Sequence, residues 1–275
     1  MKKSKKKLIC ITIVSLLLGG IMFFGFSYYN NQWYAKRLID AIENNNVQQV
    51  EKLTETKFGN VDSLPIISTL LARISEQEYS TPLQEACRNG NYEIIRLLIK
   101  KNAKINYCAK KMNDVPPVVL AISSRSKTRL ENVKLLIDNG ADINFVNNYR
   151  SLLTSVASSS NEVKSIELFE YLESKTALKE NDNHLKELLH YACRVDNSSL
   201  IHYFIIDRNM NINEQNEDGQ TPLIYFAFPT NQKKSEDLKF LLDNGANKSI
   251  KDNEGKTAYD YAISWNPEFA ELLKP

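Results

Sequence analysis

The feature that most constrains this chain is a recurring block. Six related segments start at residues 81, 116, 151, 187, 221 and 257, spaced 34 to 36 residues apart. In the first, TPLQEAC (81–87) is followed by a second apolar run at helical spacing, IIRLLI (94–99), and then by a polar segment. No single block can bury its apolar face alone, so this period predicts a stack of helix–turn–helix units.

The residues at the block boundaries suit helix ends. Thr81 can accept a backbone N–H of the first turn, and Pro82 suits the first helical position, where an N–H would have no partner. After the second helix, four copies have a residue type that tolerates a left-handed terminus: Asn102, Gly140, Asn209 and Gly245. The fourth copy, counted from an earlier segment at 38–53, has Thr176 there. We expect that copy to be distorted.

The TPL start, the G-x-x-x-I-I-x-L-L-I core and the N-A-x-I-N ending of residues 81–106 resemble the ankyrin repeat. The resemblance covers residues 80–275 as six copies, and it implies an all-α ankyrin-repeat solenoid of helix–turn–helix units with hairpin loops. Residues 31–79 are expected to form an N-terminal capping repeat with an extra helical insert. Three copies have longer loops between their helices than the family pattern, at 125–132, 159–165 and 229–235.

The N-terminus has a different composition. Residues 1–7 hold five of the 35 Lys and Arg, and residues 8–26 are 19 uncharged, mostly apolar residues. That length suits a transmembrane helix better than the shorter core of a signal peptide. We therefore expect residues 1–30 to be a basic head and a single-pass signal-anchor, with the N-terminus cytoplasmic and the repeats extracytoplasmic. The alternative is a cleaved signal and a secreted protein.

Charge and motifs disfavour several function classes. The net charge of +2 becomes 30 bases against 33 acids once residues 1–7 are set aside, so nucleic-acid binding is not expected. The sequence contains no G-x-x-x-x-G-K, H-E-x-x-H, G-x-S-x-G or C-x-x-C motif, which are common marks of phosphate, metal and nucleophile sites. We expect no catalytic residue, no metal, no cofactor and no small-molecule substrate.

The resemblance implies that function resides at hairpin tips and at the exposed ends of first helices, where the copies differ. Carried onto this sequence, these positions include Arg88, Asn89, Met112, Asn147, Asn148, Arg150, Arg194, Glu217, Asp218, Phe228 and Trp265. Phe228 and Trp265 stand out because aromatic side chains commonly anchor protein interfaces. The alternative is that both rings pack on neighbouring loops.

These observations predict a non-catalytic protein–protein interaction module. It would be anchored in a membrane through residues 8–26 and would bind a protein partner through its hairpin tips and concave first-helix face. A narrower alternative is an inhibitor or immunity-type protein that neutralises a toxin or enzyme at the membrane. A further alternative is an enzyme whose site is formed by residues 55–79 and the fourth repeat.

Overall fold

Helices form all the regular structure in the residues that the computed structural model describes: 33–55, 61–62, 80–107, 115–146, 151–176, 183–229 and 235–274. None of the helices in these ranges is long and apolar enough to cross a bilayer. The predicted span at 8–26 lies outside them. The chain divides into two units, Met1–Asp114 and Val115–Pro275.

The first unit contains four described helices: α1 (33–43), α2 (Val47–Thr54), α3 (Pro82–Asn89) and α4 (Tyr92–Lys100). Helices α2 and α3 both pack on α4. The side-chain amide of Asn89 donates to the carbonyl oxygen of Ile42 at 3.2 Å. This contact ties the end of α3 to the end of α1.

The second unit contains eleven described helices. They are α5 (Pro117–Ser123), α6 (Arg129–Asp138), α7 (Leu152–Ala157), α8 (Ser165–Lys175), α9 (Asn183–Lys186), α10 (Leu188–Val195), α11 (Ser198–His202), α12 (Pro222–Phe226), α13 (Ser235–Asp243), α14 (Ala258–Ala262) and α15 (Pro267–Leu273). The first helices of successive copies pack in the order α5, α7, α10, α12 and α14. Buried Leu, Ile, Ala and Phe side chains fill the space between the layers.

The helix ends follow the local chemistry that the sequence predicts. The Thr81 hydroxyl accepts the Gln84 N–H at 3.0 Å, and the Gln84 side chain accepts the Thr81 N–H at 2.8 Å. This reciprocal pair is a capping box, and it satisfies two backbone donors at the start of α3. All four predicted left-handed residues have positive φ angles: Asn102, Gly140, Asn209 and Gly245.

Two second helices depart from the common pattern. Helix α8, in the fourth copy, ends at Lys175, and the next residue, Thr176, has an extended backbone (φ −85°, ψ 142°) instead of a left-handed one. Helix α11 continues as a π-helical turn, Tyr203–Asp207. Asn209 follows the buried Ile201 by eight residues, one more than separates Asn102 from Ile95 in the copy at 81. The π turn accommodates this single extra residue.

A buried arginine joins the longer loops of the copies at 116 and 151. Arg129 is fully buried. Its guanidinium donates at 2.7 to 3.4 Å to the carbonyl oxygens of Ile122, Asn161 and Val163 and to the hydroxyls of Ser159 and Ser165. The Asn161 amide donates back to the Ser124 carbonyl oxygen at 2.6 Å, and Asn197 donates to the Ser159 carbonyl oxygen at 2.8 Å. The loop between α7 and α8 is therefore held by both neighbouring copies.

Candidate functional site

Three tyrosines occupy the same position in consecutive copies. Tyr191, Tyr225 and Tyr261 are each the fifth residue of their copy, on α10, α12 and α14, and each is half-buried. Because α12 packs between α10 and α14, the tyrosines lie in one row on the first-helix face. The earlier copies of this unit have Leu120 and Ser155 at the same position.

Ring contacts join the row into a continuous surface. The ring centroids of Tyr191 and Tyr225 lie 6.3 Å apart. Phe228, also half-buried, bridges the next step, at 5.5 Å from Tyr225 and 4.8 Å from Tyr261. All three pairs are edge-to-face, the arrangement that aromatic quadrupoles favour. We call Tyr191, Tyr225, Phe228 and Tyr261 the aromatic ladder.

The tyrosine hydroxyls of the ladder all have polar partners. Tyr191 donates to Glu187 at 2.9 Å, Tyr261 donates to Asp252 at 2.5 Å, and Tyr225 accepts from the Asn216 amide at 3.2 Å. These bonds hold the rings by their hydroxyl ends, and the remaining ring surface is available for contact.

Burial and nearby carboxylates raise the pKa values of ladder hydroxyls. Burial raises the pKa of Tyr225, and the charges of Glu187 and Asp218 raise it further. Burial also raises the pKa of Tyr261 to about 12, and the hydrogen bond to Asp252 adds to that effect. Nearby negative charge disfavours the phenolate. Both rings are therefore neutral phenols at physiological pH.

Two cations lie over ladder rings. The guanidinium carbon of Arg194 is 5.9 Å from the ring centroid of Tyr225 and 5.5 Å from that of Phe228. The Lys256 ammonium is 5.5 Å from the ring centroid of Tyr261. These are cation–π distances. The predicted residues Arg194 and Phe228 thus belong to one arrangement.

Trp265 lies outside the ladder and is held by its own contacts. Its indole N–H donates to the Ala227 carbonyl oxygen at 2.8 Å, and its ring packs edge-to-face on Phe269 at 5.8 Å. The ring of Trp265 thus packs on its neighbours, as in the alternative interpretation of the sequence. Phe228 also contacts its neighbours, but those neighbours are the half-buried tyrosines of the ladder.

Glu217 and Asp218 form an exposed hairpin tip before α12. The Asn253 side chain donates to the Glu217 carbonyl oxygen at 3.0 Å, and the Asn253 backbone N–H donates to the Asp218 carbonyl oxygen at 3.0 Å. Adjacent tips are therefore joined by their backbones, while the carboxylates of the first tip remain exposed. This tip lies on the hydroxyl side of the ladder, because the Asn216 side chain donates to the Tyr225 hydroxyl and accepts the backbone N–H of Asp218 at 3.1 Å.

Arg88 and Asn89 belong to the first unit, where Arg88 donates to the Ser80 hydroxyl at 3.1 Å and lies 3.9 Å from Glu85. Four predicted residues lie outside the described residues: Met112, Asn147, Asn148 and Arg150.

His190 supports the ladder from beneath. It is fully buried, and its Nε2 lies 3.0 Å from the carbonyl oxygens of both Glu214 and Gln220. Since both partners are acceptors, Nε2 carries the proton. Burial lowers the pKa of His190, so the ring is neutral. It holds the hairpin that precedes Tyr225, whose ring it contacts edge-to-face at 5.3 Å.

The described residues also include a serine, an aspartate and a histidine in contact. The Ser198 hydroxyl donates to Asp237 at 2.5 Å, and Nε2 of His202 lies 3.4 Å from the other oxygen of Asp237. A catalytic triad needs the histidine between the serine and the aspartate, whereas here both side chains meet the same carboxylate. This cluster joins α11 to α13.

Metal ligation finds no support in the described part of the chain, where no group of three or more His, Cys, Asp or Glu could hold an ion. Cys87 and Cys193 are buried, and burial raises the pKa of the Cys87 thiol, which makes it a poor nucleophile. Of the alternative enzymatic site, most of the insert at 55–79 lies outside the described residues, which include only 55 and 61–62 of it, whereas the fourth repeat is described over 151–176.

The ladder tyrosines lie neither at hairpin tips nor at first-helix ends, the positions that the family resemblance indicates. Their signal in the sequence is the recurrence of Tyr at the fifth residue of three consecutive copies.

Two kinds of comparison with known proteins agree with this architecture. A family model described as ankyrin repeats (3 copies) matches residues 38–147 and 189–275. The crystal structure of the human ASB11 ankyrin repeat domain superposes with a TM-score of 0.61 at 19% identity, covering 86% of this chain and 95% of that domain. At that identity the likeness concerns the fold alone.

Sequence relatives cover a smaller part of the chain. The ankyrin repeat protein L92 of Acanthamoeba polyphaga mimivirus is 33% identical over 156 residues, which are 54% of this chain and 37% of that protein. An ankyrin repeat protein of Rickettsia felis is 30% identical over 138 residues, which are 49% of this chain and 55% of that protein. The matched region thus spans about a third of the mimivirus protein and about half of the Rickettsia felis protein.

Proposed function

Because the chain belongs to the ankyrin-repeat family, we propose that it is a non-catalytic protein–protein interaction module and that the aromatic ladder is its main contact surface. The observation that carries this proposal is the row of four half-buried rings across three copies. Half-buried rings with an exposed edge suit an interface, since tyrosine, tryptophan and arginine are enriched among interface hot spots. Arg194 lies within the same row.

The ladder is not needed to complete the core. Each copy already buries its own Leu and Ala side chains, such as Leu223 and Ala227 in the copy at 221. The tyrosines stand outside this layer, and Leu120 or Ser155 takes their place in earlier copies. A position where the fold accepts Leu, Ser or Tyr is free to serve recognition.

Membrane attachment is a separate part of the proposal. Residues 8–26 would anchor the chain, with the N-terminus cytoplasmic and the repeats on the other side. It rests on the apolar length and the flanking lysines. The test is alkaline extraction of membranes from cells that express the full chain or a variant with Leu16→Arg and Leu17→Arg. The wild type should resist extraction, and an extractable wild type would contradict an anchor.

Partner binding is tested by crosslinked co-purification of the full chain from its native membranes. Tyr225→Ala with Tyr261→Ala should remove a saturable partner that the wild type captures. Tyr259→Ala is the matched control, because Tyr259 is a half-buried tyrosine of the same helix as Tyr261 but outside the ladder. Retention of the partner by the double variant, with an unchanged helical circular dichroism spectrum, would exclude the ladder as the contact surface.

The narrower hypothesis, an inhibitor or immunity-type protein, is decided with the captured partner. If the partner is a toxin or an enzyme, adding the wild-type chain should suppress its activity, and the ladder double variant should not. Full partner activity at saturating wild-type chain would leave a scaffold role in place of an inhibitory one.

A further inference from the structure

We propose that the segment which the aromatic ladder receives is basic, with lysine or arginine side chains of the partner lying against the tyrosine rings. This inference rests on the proposed function, because it names the chemistry of the partner at that same surface. It goes beyond that function, since ladder binding alone does not specify the charge of the partner.

The charge at the hydroxyl edge of the ladder carries the argument. Five carboxylates lie along this edge and its hairpin tips: Glu187, Glu217, Asp218, Asp252 and Glu254. The same strip has three bases, Arg194, Lys251 and Lys256; Lys256 is paired with Glu254 at 2.7 Å, and Arg194 lies over the rings. The excess of carboxylates favours a cationic partner and steers it toward this edge.

The ladder rings themselves favour cations. The tyrosine protons of Tyr191 and Tyr261 are committed to carboxylates, so their oxygens face a partner as acceptors and not as donors. A phenol ring attracts a cation over its face. Arg194 and Lys256 already show that these rings take cations at 5.5 to 5.9 Å. Side chains of a basic partner can add to this arrangement on the exposed ring surfaces.

The repeats at 116 and 151 provide an internal contrast. Their equivalent positions, Leu120 and Ser155, have neither rings nor charge. A tyrosine at this position is therefore a property of the last three copies and not of the repeat. The row begins in the copy at 187, where Glu187 and Tyr191 are hydrogen-bonded.

Two labelled peptides of opposite charge test the inference. Four Lys-Pro repeats and four Glu-Pro repeats have the same extended, preorganised backbone. Binding of each to the full chain in a neutral detergent is measured by fluorescence anisotropy. The Lys-Pro peptide should bind at least about tenfold more tightly, and its affinity should fall as added salt screens the carboxylates. Equal affinities, or tighter binding of Glu-Pro, would overturn the proposal.

Matched charge variants locate the effect. Glu217→Gln with Asp218→Asn should weaken Lys-Pro binding by roughly threefold to tenfold, a range typical of two partly screened surface charges. Glu236→Gln with Asp243→Asn removes the same charge from exposed positions on the second helix α13 and should leave the affinity unchanged. Equal weakening by both pairs would show attraction by net charge alone and would contradict a basic subsite at the ladder.

The two proposals fail in different experiments. If the native partner is lost with Tyr225→Ala and Tyr261→Ala but the Lys-Pro peptide is not preferred, the ladder remains the contact surface and only its basic specificity is wrong. If the native partner is retained by that double variant, the surface itself is wrong, whatever the peptides show.

Discussion

Neighbouring regions of the second unit connect their repeats in different ways. The copies at 116 and 151 are joined through the loops between their helices, with the buried Arg129 at the centre. The copies at 187, 221 and 257 are joined through hairpin tips and through half-buried aromatic rings on the first-helix face. One region uses a charge inside the fold, and the other presents rings and charges at the surface.

The two departures from the repeat pattern differ in burial. Burial lowers the pKa of Arg129 to about 10, although the charge of Glu167 acts in the opposite direction. The cost of removing the guanidinium from water is offset because several oxygens accept hydrogen bonds from its N–H groups. Such an arrangement can serve only the fold. The ladder leaves ring surface in contact with water, and that surface gains from a partner.

Removing the buried arginine should give the largest effect. Arg129→Ala leaves several acceptors of one loop without a donor and opens a cavity, so we expect a loss of roughly 3–5 kcal/mol in the free energy of unfolding. Urea unfolding followed by circular dichroism measures it. Arg125→Ala changes an exposed arginine in the loop that precedes Arg129, and it should change stability by less than about 0.5 kcal/mol. Similar losses in the two variants would contradict the role given to Arg129.

The hairpin tips are tested next, through two glycines with positive φ. Gly219 has φ +75°, and a Cβ there would lie 2.6 Å from Oδ1 and 3.0 Å from the backbone N of Asn253. Gly255 has φ +77° and open space around it. Gly219→Ala should cost roughly 2–3 kcal/mol and Gly255→Ala about 1 kcal/mol, the strain of a left-handed alanine. Equal thermal shifts would show that the tips are not in contact.

Acid should weaken the aromatic region through His190. Its pKa is lowered by burial, so the folded state binds fewer protons than the unfolded chain, whose histidine has a pKa of about 6.5. The contribution of neutral His190 to the free energy of unfolding is therefore complete above that pH. It falls as the pH drops toward the folded pKa, by up to about 1.4 kcal/mol per pH unit. An NMR titration assigned with His190→Gln measures the shift directly. A pKa at or above the unfolded value would refute this account.

The extent to which sequence predicts this molecule depends on the range of the interaction. Thr81 and Pro82 act within one turn, so the TPL motif alone places the start of α3. The spacing of the copy at 187 shows that its second helix has one extra residue. That a π turn at Tyr203–Asp207 accommodates this residue depends on packing, which the spacing does not show. Arg129 reads as a surface loop charge, because its acceptors come from a loop about thirty residues later in the sequence. Long-range polar contacts of this kind have no local signature.

The same distinction applies to the candidate site. Phe228 and Arg194 were predicted from their positions in the repeat, and the structure places them together. Whether they bind a partner stays a prediction. Trp265 has the same aromatic character in the sequence, and only its indole bond to Ala227 shows that its N–H is already used.

The smallest expected effect comes from removing the hydroxyl of a ladder tyrosine while its ring remains. Tyr261→Phe removes the bond to Asp252 but keeps the aromatic contacts, so the expected loss at neutral pH is about 1 kcal/mol. The pKa of Tyr261 is raised to about 12, above the value of about 10 in an unfolded chain. The hydroxyl therefore stabilises the fold fully below about pH 10, and this contribution is lost as the pH rises through about 12. Thermal melts of the wild type and Tyr261→Phe should therefore differ at neutral pH and converge as the pH rises toward 12.

Capture of the native partner by Tyr261→Phe completes the test. The ring remains and Asp252 loses an internal donor, so a cationic partner should bind at least as well as to the wild type. If Tyr261→Phe loses the partner while Tyr191→Phe keeps it, the contact is the Tyr261 hydroxyl and not the aromatic face. In that case the ladder is a support for one hydrogen bond, and the contrast with the Arg129 region narrows to a difference in exposure.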